Sequence, residues 1–135
     1  MTLSEAARTL RGVPFRHQGR DPSVGIDCVG LLRCAGDLIG WGLCVYDCDD
    51  YARDPHDGVL EGHLQAAFGP PVSGLQVNDI VAMAYGRPIR HVGIIGTDGE
   101  RLTLIHTSQQ VGRVVEHGID PRWLRRIKRV YRVGV

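Results

Sequence analysis

The chain has 135 residues, of which 43% are hydrophobic and 23% are charged, and its formal net charge at pH 7 is +1. This length and apolar content predict one domain over residues 1–135 and exclude a disordered chain, while the near-zero charge argues against nucleic acid or an anionic membrane as partner. The first residues include Glu5 and no long apolar run, so we expect cytoplasmic synthesis without a signal peptide or a membrane-spanning helix.

Helical patterns dominate the first half of the chain. Apolar residues recur there every three or four positions, which is the period of an amphipathic helix. Good N-cap residues precede these runs, and Gly or Pro follows them. The predicted elements are a helix over residues 4–10, a loop over 13–26, a helix from Cys28 to Gly40 or Gly42, a loop over 42–56, and a helix from Asp57 to Gly69.

Strand patterns dominate the second half of the chain. After Pro71 the sequence is rich in β-branched residues and turn dipeptides. The predicted strands cover residues 80–85, 91–97, 101–107, 111–117 and 127–133, and one helical turn is predicted at 121–124. Because helices come first and strands second, we expect an α+β domain in which N-terminal helices pack on a C-terminal antiparallel sheet.

Cys28 is the strongest candidate for a reactive residue. Asp27 can cap the second helix, so Cys28 would be its first residue. A sulfur at that position faces unpaired backbone N–H groups and the positive end of the helix dipole, which favour the thiolate. The alternative is a small buried thiol in a helix that only packs.

Two histidines are predicted to lie together in the sheet. The turn dipeptide Asp98-Gly99 predicts a hairpin in which Thr97 pairs with Glu100, so that opposed residue numbers sum to 197. His91 and His106 satisfy that sum, and opposed side chains lie close enough for a hydrogen bond. The alternative is a pair of half-buried histidines that only satisfy each other.

A cysteine and a histidine pair together fit nucleophilic catalysis. A thiol nucleophile needs a base, and the base needs a group that fixes its tautomer and orientation. The simplest assignment makes Cys28 the nucleophile, His91 the base and acid, and His106 the orienting group. No cofactor is needed, and the spacing of Cys44, Cys48, His56 and His63 does not fit a common zinc site, so no metal is expected.

Three motifs in this order resemble the NlpC family of cell-wall cysteine peptidases, a branch of the papain-like superfamily. The segment from Asp27 to Leu31 is similar to the family's D-C-[SV]-G-[LF] nucleophile motif. The H-V-G-I segment at His91 is similar to the motif that carries the base, and I-H-T at His106 is similar to the one that carries the third polar residue.

The resemblance implies an endopeptidase that hydrolyses peptide bonds in peptidoglycan stem peptides, commonly between D-glutamate and a diamino acid. It also implies that Asp27 helps to hold a free amino group of the substrate. Residues 12–21 look most like those of members encoded in phage tails and related particles. We therefore expect a particle component, with other tail proteins as possible partners. The alternatives are a non-catalytic or weakly active tail-assembly module and, less favoured, a transacylase with the same residues.

Two residues depart from the family pattern near the substrate. Many secreted members have Tyr at the position of Phe15, and a phenyl ring cannot donate a hydrogen bond to an oxyanion. The backbone N–H of Cys28 remains as one donor, and His17 is a candidate for another. Loss of one such donor typically raises the barrier by about 2.7–4 kcal/mol. Val29 replaces a frequent Ser, which removes a polar contact.

The C-terminal segment is strongly basic. A grip on an anionic wall polymer is one interpretation, but the favoured one is a solvated edge strand, because positive charge discourages unwanted strand pairing. The basic residues are Arg122, Arg125, Arg126, Lys128, Arg129 and Arg132.

Overall fold

The computed structural model describes residues 1–41, 59–86 and 89–133. The predicted loop 42–56, the proposed cap Asp57 and two of the four cysteines, Cys44 and Cys48, lie outside the described residues. None of the helices in the described ranges has the length and apolar character needed to cross a membrane.

Four helices and seven strands make up the described part of the chain. The helices are α1 (Leu3–Thr9), α2 (Cys28–Leu38), α3 (Val59–Phe68) and α4 (Pro121–Arg126). The strands are β1 (Arg20–Asp21), β2 (Gly25–Ile26), β3 (Ile80–Ala84), β4 (Ile89–Thr97), β5 (Leu102–Ser108), β6 (Arg113–Gly118) and β7 (Ile127–Tyr131). Apart from β1 and β2, the predicted order of helices and strands is confirmed, and the boundaries of the five predicted strands shift by one or two residues.

The five C-terminal strands form one antiparallel sheet in the order β6-β5-β4-β3-β7. The predicted α+β class is therefore confirmed. The predicted loop 13–26 is in part a small hairpin, since β1 pairs with β2 and Phe15 forms a bridge to Ile26. Two-residue strands are too short to produce a recognisable alternation of apolar residues, so the sequence pattern could not indicate them.

Each face of the sheet packs against a different apolar cluster. On one face, α1, α2 and α3 bury a large cluster that includes Leu31, Leu64 and Ile94. The other face carries a smaller cluster around Met83 and Leu104, against which Trp123 packs. The helices thus lie on one side of the sheet, and the loop and short helix after β6 lie on the other.

The register of the β4–β5 hairpin differs from the prediction. Opposed residues pair as Ile94 with Ile105 and Thr97 with Leu102, so their numbers sum to 199 and not to 197. The turn is longer than two residues because the Asp98 carboxylate accepts from the N–H groups of Glu100 and Arg101. A shift of two residues keeps every side chain on its predicted face.

The basic segment does form an edge strand. The strand β7 is at one end of the sheet, and Lys128 and Arg129 on it are exposed. Arg132, which follows β7, donates two hydrogen bonds to the buried carboxylate of Asp79, at 2.9 and 3.1 Å. Arg129 also lies 3.7 Å from the carboxylate of Glu61. The solvated edge favoured from the sequence is therefore confirmed for β7, whereas Arg122, Arg125 and Arg126 lie on α4.

Candidate active site

The start of α2 is held in place by the carboxylate of Asp27. The side chain of Asp27 is buried and accepts from the N–H of Gly30 at 2.8 Å, which is the predicted N-cap. It also accepts from the N–H of Gln18 at 2.9 Å and from Arg20 at 3.0 Å. Its carbonyl oxygen accepts from the hydroxyl of Thr107 on β5 at 3.1 Å. These bonds fix the first turn of α2 against the sheet.

A close backbone approach explains the glycine two residues after Cys28. The loop before β1 crosses α2 so tightly that a Cβ atom on Gly30 would lie 2.1 Å from the carbonyl oxygen of Gly19. The atom that this Cβ would meet belongs to the backbone, so no side chain can move aside to relieve the contact. Gly30 is therefore required for the loop and the helix to meet, and this geometry accounts for the glycine in the D-C-V-G-L segment.

Cys28 is the first residue of α2, as predicted, and its side chain is only partly buried. Its sulfur faces the backbone N–H groups of Val92 on β4 and of Val29, and both lower the pKa of the thiol. Burial, followed by the nearby carboxylate of Asp27, outweighs them and raises the pKa of Cys28 to about 12. The effect of burial on the pKa of Cys28 is thus larger than that of the backbone N–H groups at the helix start.

The two predicted histidines are in contact on one face of the sheet. His91 Nε2 and His106 Nδ1 are 2.7 Å apart, and both residues are buried. When the β4–β5 register is continued, His106 lies opposite Gly93, so the two rings meet diagonally and not directly across the strands. The predicted contact is thus confirmed, while the predicted direct opposition is wrong.

Both histidines are neutral at rest. Burial, followed by the charge of Arg90, lowers the pKa of His91 to about 4. Burial, followed by the neighbouring His91, His117 and Arg126, lowers the pKa of His106 to about 2. If the Cys28 thiol acts with these neutral imidazoles, proton transfer has to accompany attack, because no preformed ion pair is present.

A third histidine extends the pair. His106 Nε2 lies 2.8 Å from His117 Nε2, and His117 Nδ1 lies 2.8 Å from the carbonyl oxygen of Gly118. We call His91, His106 and His117 the histidine row. The sequence pattern gave no reason to select His117, because its position depends on the β5–β6 register, in which it pairs with Leu104. Alternation along the predicted strand over residues 111–117 is the only sequence signal that could have found it.

The histidine row borders an open cleft of about 700 Å³. Aromatic rings and guanidinium groups form one side of it: the Arg126 guanidinium carbon lies 4.8 Å from the ring centre of Tyr85 and 4.6 Å from that of Trp123. Arg90 lies 5.4 Å from the ring of Tyr85 and lines the same cleft. The residues described around the cleft include no carboxylate, so its wall is cationic and aromatic.

The other residues proposed from the sequence lie on the segment that leads to Cys28. Phe15 is partly buried, and its N–H donates to the carbonyl of Gly112 at 2.9 Å. His17 is partly buried two residues further on. The described lining of the cleft includes His91 and His106 but not Cys28, and it includes none of Phe15, His17 and Asp27. The substrate-binding roles of those three remain predictions.

Metal ligands do not cluster in the described part of the chain. Within residues 1–41, 59–86 and 89–133, no group of three His, Cys, Asp or Glu side chains has the geometry to hold a metal ion. Cys34, on the next turns of α2, is buried and donates its S–H to the carbonyl of Arg20 at 3.3 Å. It packs in the large apolar cluster of the helical face.

Comparison with known proteins finds matches in structure only. No family model matches the chain, and no curated protein matches its sequence significantly. The NlpC/p60 domain of the peptidoglycan hydrolase SagA matches with a TM-score of 0.65 and 20% identity, covering 98% of this chain and 97% of that one.

Two longer proteins match in the same way. An NLP/P60 family protein similar to a lipoprotein, from Staphylococcus aureus, has a TM-score of 0.63 and 18% identity over 98% of this chain and 40% of its own. An NlpC/P60 family protein from Bacillus cereus has a TM-score of 0.67 and 20% identity over 96% of this chain and 38% of its own. The chain therefore spans about two fifths of the length of these two proteins. The fold is the papain-like α+β fold of NlpC/P60 domains, as the sequence motifs predicted.

Proposed function

We propose that this chain is a cysteine peptidase of the NlpC type that hydrolyses amide bonds in peptidoglycan stem peptides. The observation that carries the proposal is the contact of His91 with His106, immediately before the Val92 amide that faces the Cys28 thiol. Nε2 of His91 is bonded to His106, so Nδ1 is the nitrogen that remains to exchange a proton with the substrate and the sulfur.

The reaction follows from those positions. The Cys28 thiol gives its proton to His91 Nδ1 as the sulfur attacks the scissile carbonyl, which forms a C–S bond and an oxyanion. The backbone N–H of Cys28 at the helix start is the candidate donor to that oxyanion. His91 then protonates the leaving amine as the C–N bond breaks, which leaves a thioester. Water, deprotonated by His91, releases the carboxylate product and restores the thiol.

The charge of the cleft favours binding of a substrate that carries carboxylates. Arg90 and Arg126 line it beside Tyr85, and guanidinium groups bind carboxylates through paired hydrogen bonds. Stem peptides with D-glutamate and a diamino acid bring such carboxylates next to the bond that is cut. The likeness of the fold to that of a peptidoglycan hydrolase points to the same substrate class.

We further propose that the chain acts as a component of a phage tail or phage-like particle. This proposal depends on the resemblance of residues 12–21 to members of that type. Mass spectrometry of purified particles from a strain that encodes the chain tests it, since the chain is expected among the tail proteins. Its absence from intact particles would contradict the particle assignment and leave the peptidase assignment unaffected.

Product analysis tests the peptidase assignment. The full chain is incubated with defined muropeptides, and the products are identified by mass spectrometry. We expect cleavage that yields a free carboxylate, loss of cleavage in Cys28→Ser, and normal cleavage in the matched control Cys34→Ser. An ester or amide product would indicate transacylation. Cleavage retained in Cys28→Ser, or no cleavage together with a particle-assembly defect in the same variant, would contradict the proposal.

A further inference from the structure

We infer that His117 is a positioning residue that sets the tautomer of His91 through His106 and so keeps His91 Nδ1 unprotonated and able to act as base. This inference rests on the proposed function for its catalytic meaning, but the tautomer itself follows from hydrogen-bond geometry. The histidine row ends at the carbonyl oxygen of Gly118. This last bond determines which nitrogen donates and which accepts in each hydrogen bond of the row.

The fixed end is the bond between His117 and Gly118. A carbonyl oxygen can only accept, so His117 Nδ1, at 2.8 Å, carries the proton of this bond. In a neutral imidazole the other nitrogen is then an acceptor. His117 Nε2 therefore accepts, and His106 Nε2, at 2.8 Å, donates to it.

The same rule carries the direction to the base. With its proton on Nε2, neutral His106 accepts at Nδ1, so His91 Nε2 donates across the 2.7 Å contact. His91 then has no proton on Nδ1, which is the form that can accept the proton of a thiol. In the reverse direction His91 Nδ1 would carry a proton and could not act as base.

The surroundings of the row hold the rings in this order. Trp123 of α4 contacts both His106 and His117, with ring centres 4.9 and 4.8 Å apart. The charged groups around the row are Arg90 next to His91, Arg126 of α4 near His106, and Asp120 near His117. Within the described residues, none of the three rings donates a hydrogen bond to a carboxylate. The last acceptor of the row is a backbone carbonyl, whereas in a Ser-His-Asp triad a carboxylate accepts from the base.

Two variants separate a positioning role from simple packing. His117→Phe keeps a ring against Trp123 but offers no acceptor to His106, whereas His117→Gln offers a side-chain oxygen that can accept. The full chain, labelled with ¹⁵N-histidine, is measured by NMR at pH 8, and stem-peptide cleavage is measured in parallel. Circular dichroism and the unfolding midpoint identify any variant that does not fold.

We expect wild-type His91 to carry its proton on Nε2, with an unprotonated Nδ1 signal. In His117→Phe we expect mixed tautomers at His91 and a kcat reduced about tenfold with KM unchanged. The reason is that the buried Nε2–H of His106 loses its acceptor. His117→Gln should restore both readouts to within about threefold of wild type.

The inference is overturned if wild-type His91 carries its proton on Nδ1, or if folded His117→Phe leaves the tautomer unchanged. It is also overturned if Phe and Gln variants lose kcat equally. Should the variants fail to fold, the wild-type spectrum alone decides the direction of the row. A wild-type chain with the expected tautomer but no cleavage supports the row and counts only against the proposed function.

Discussion

The two faces of the sheet bury different kinds of side chain. The face toward α1, α2 and α3 is covered by apolar residues such as Leu31 and Ile105, which are fully buried. The opposite face carries a smaller apolar cluster and, in addition, the histidine row. Burial of polar rings costs free energy unless they are hydrogen-bonded. The second face tolerates three imidazoles because the bonds of the row involve five of their six ring nitrogens, all except Nδ1 of His91.

Cys28 lies where the two faces meet. It belongs to a helix of the apolar face, but its sulfur faces the Val92 amide, directly after His91 in the chain. The comparison teaches that stability and chemistry are separable in this domain. Changes on the apolar face should act on folding, and changes in the histidine row should act on catalysis.

The largest expected effect is a loss of catalysis when a residue of the histidine row is replaced. His91→Ala removes the base, and we predict a fall in kcat of about 10⁴-fold, because loss of one member of a triad disables the others. The free energy of unfolding should change far less than kcat. His63→Ala on α3, away from the row, is the matched control and should retain activity. Equal activity of the two variants would break the distinction between the faces.

The second largest effect is a loss of stability when a buried residue of the apolar face is replaced. Leu31→Ala removes a fully buried side chain from the large cluster, and we predict a loss of about 2–5 kcal/mol in the free energy of unfolding. Urea unfolding measures it, with Leu38→Ala as control because Leu38 is 54% exposed at the end of α2. The kcat of the folded fraction should stay near wild type. A selective loss of kcat at full stability would contradict the separation.

The smallest effect is expected where the two regions join, at Asp27. In Asp27→Asn, one carboxylate oxygen becomes an N–H₂ group that faces the N–H of either Gln18 or Gly30. One hydrogen bond is then lost, so we predict a decrease of about 1–2 kcal/mol in the free energy of unfolding. Removal of the carboxylate also lowers the pKa of the Cys28 thiol, so iodoacetamide should alkylate it faster at a fixed pH. Asp37→Asn, which removes the pair with Arg33 and a charge near Cys34 but none of the groups that act on Cys28, is the control, with alkylation read at Cys28 by peptide mapping. A slower alkylation in Asp27→Asn would show that the carboxylate does not disfavour the thiolate.

Most of the fold was predictable because its local signals agree with its packing. The cap at Asp27, the apolar period of α2 and the runs of β-branched residues between turn dipeptides at β3 to β5 each point to the element that forms. The hairpin register was not predictable, because Asp98 makes side-chain bonds that enlarge its turn. The shared face of His91 and His106 survived that error, since a shift of two residues preserves alternation.

The parts of the site that sequence did not predict depend on burial and on distant pairing. The raised pKa of Cys28 was not predicted, because the effect of a helix start can be seen in the sequence whereas the desolvation of Cys28 comes from the assembled fold. His117 was missed because its contact with His106 depends on the β5–β6 ladder. Both require the register and packing of the whole sheet.

Labelling of Cys28 by a substrate-like alkylating agent tests the central claim most directly. The reagent is L-Ala linked to a γ-D-glutamyl chloromethyl ketone, which sets an electrophilic carbon next to the position of the scissile carbonyl. We predict one adduct per chain, located on Cys28 and not on the other three cysteines, with labelling slowed about 100-fold in His91→Ala. Labelling spread over several cysteines, or at the same rate in His91→Ala, would contradict the account.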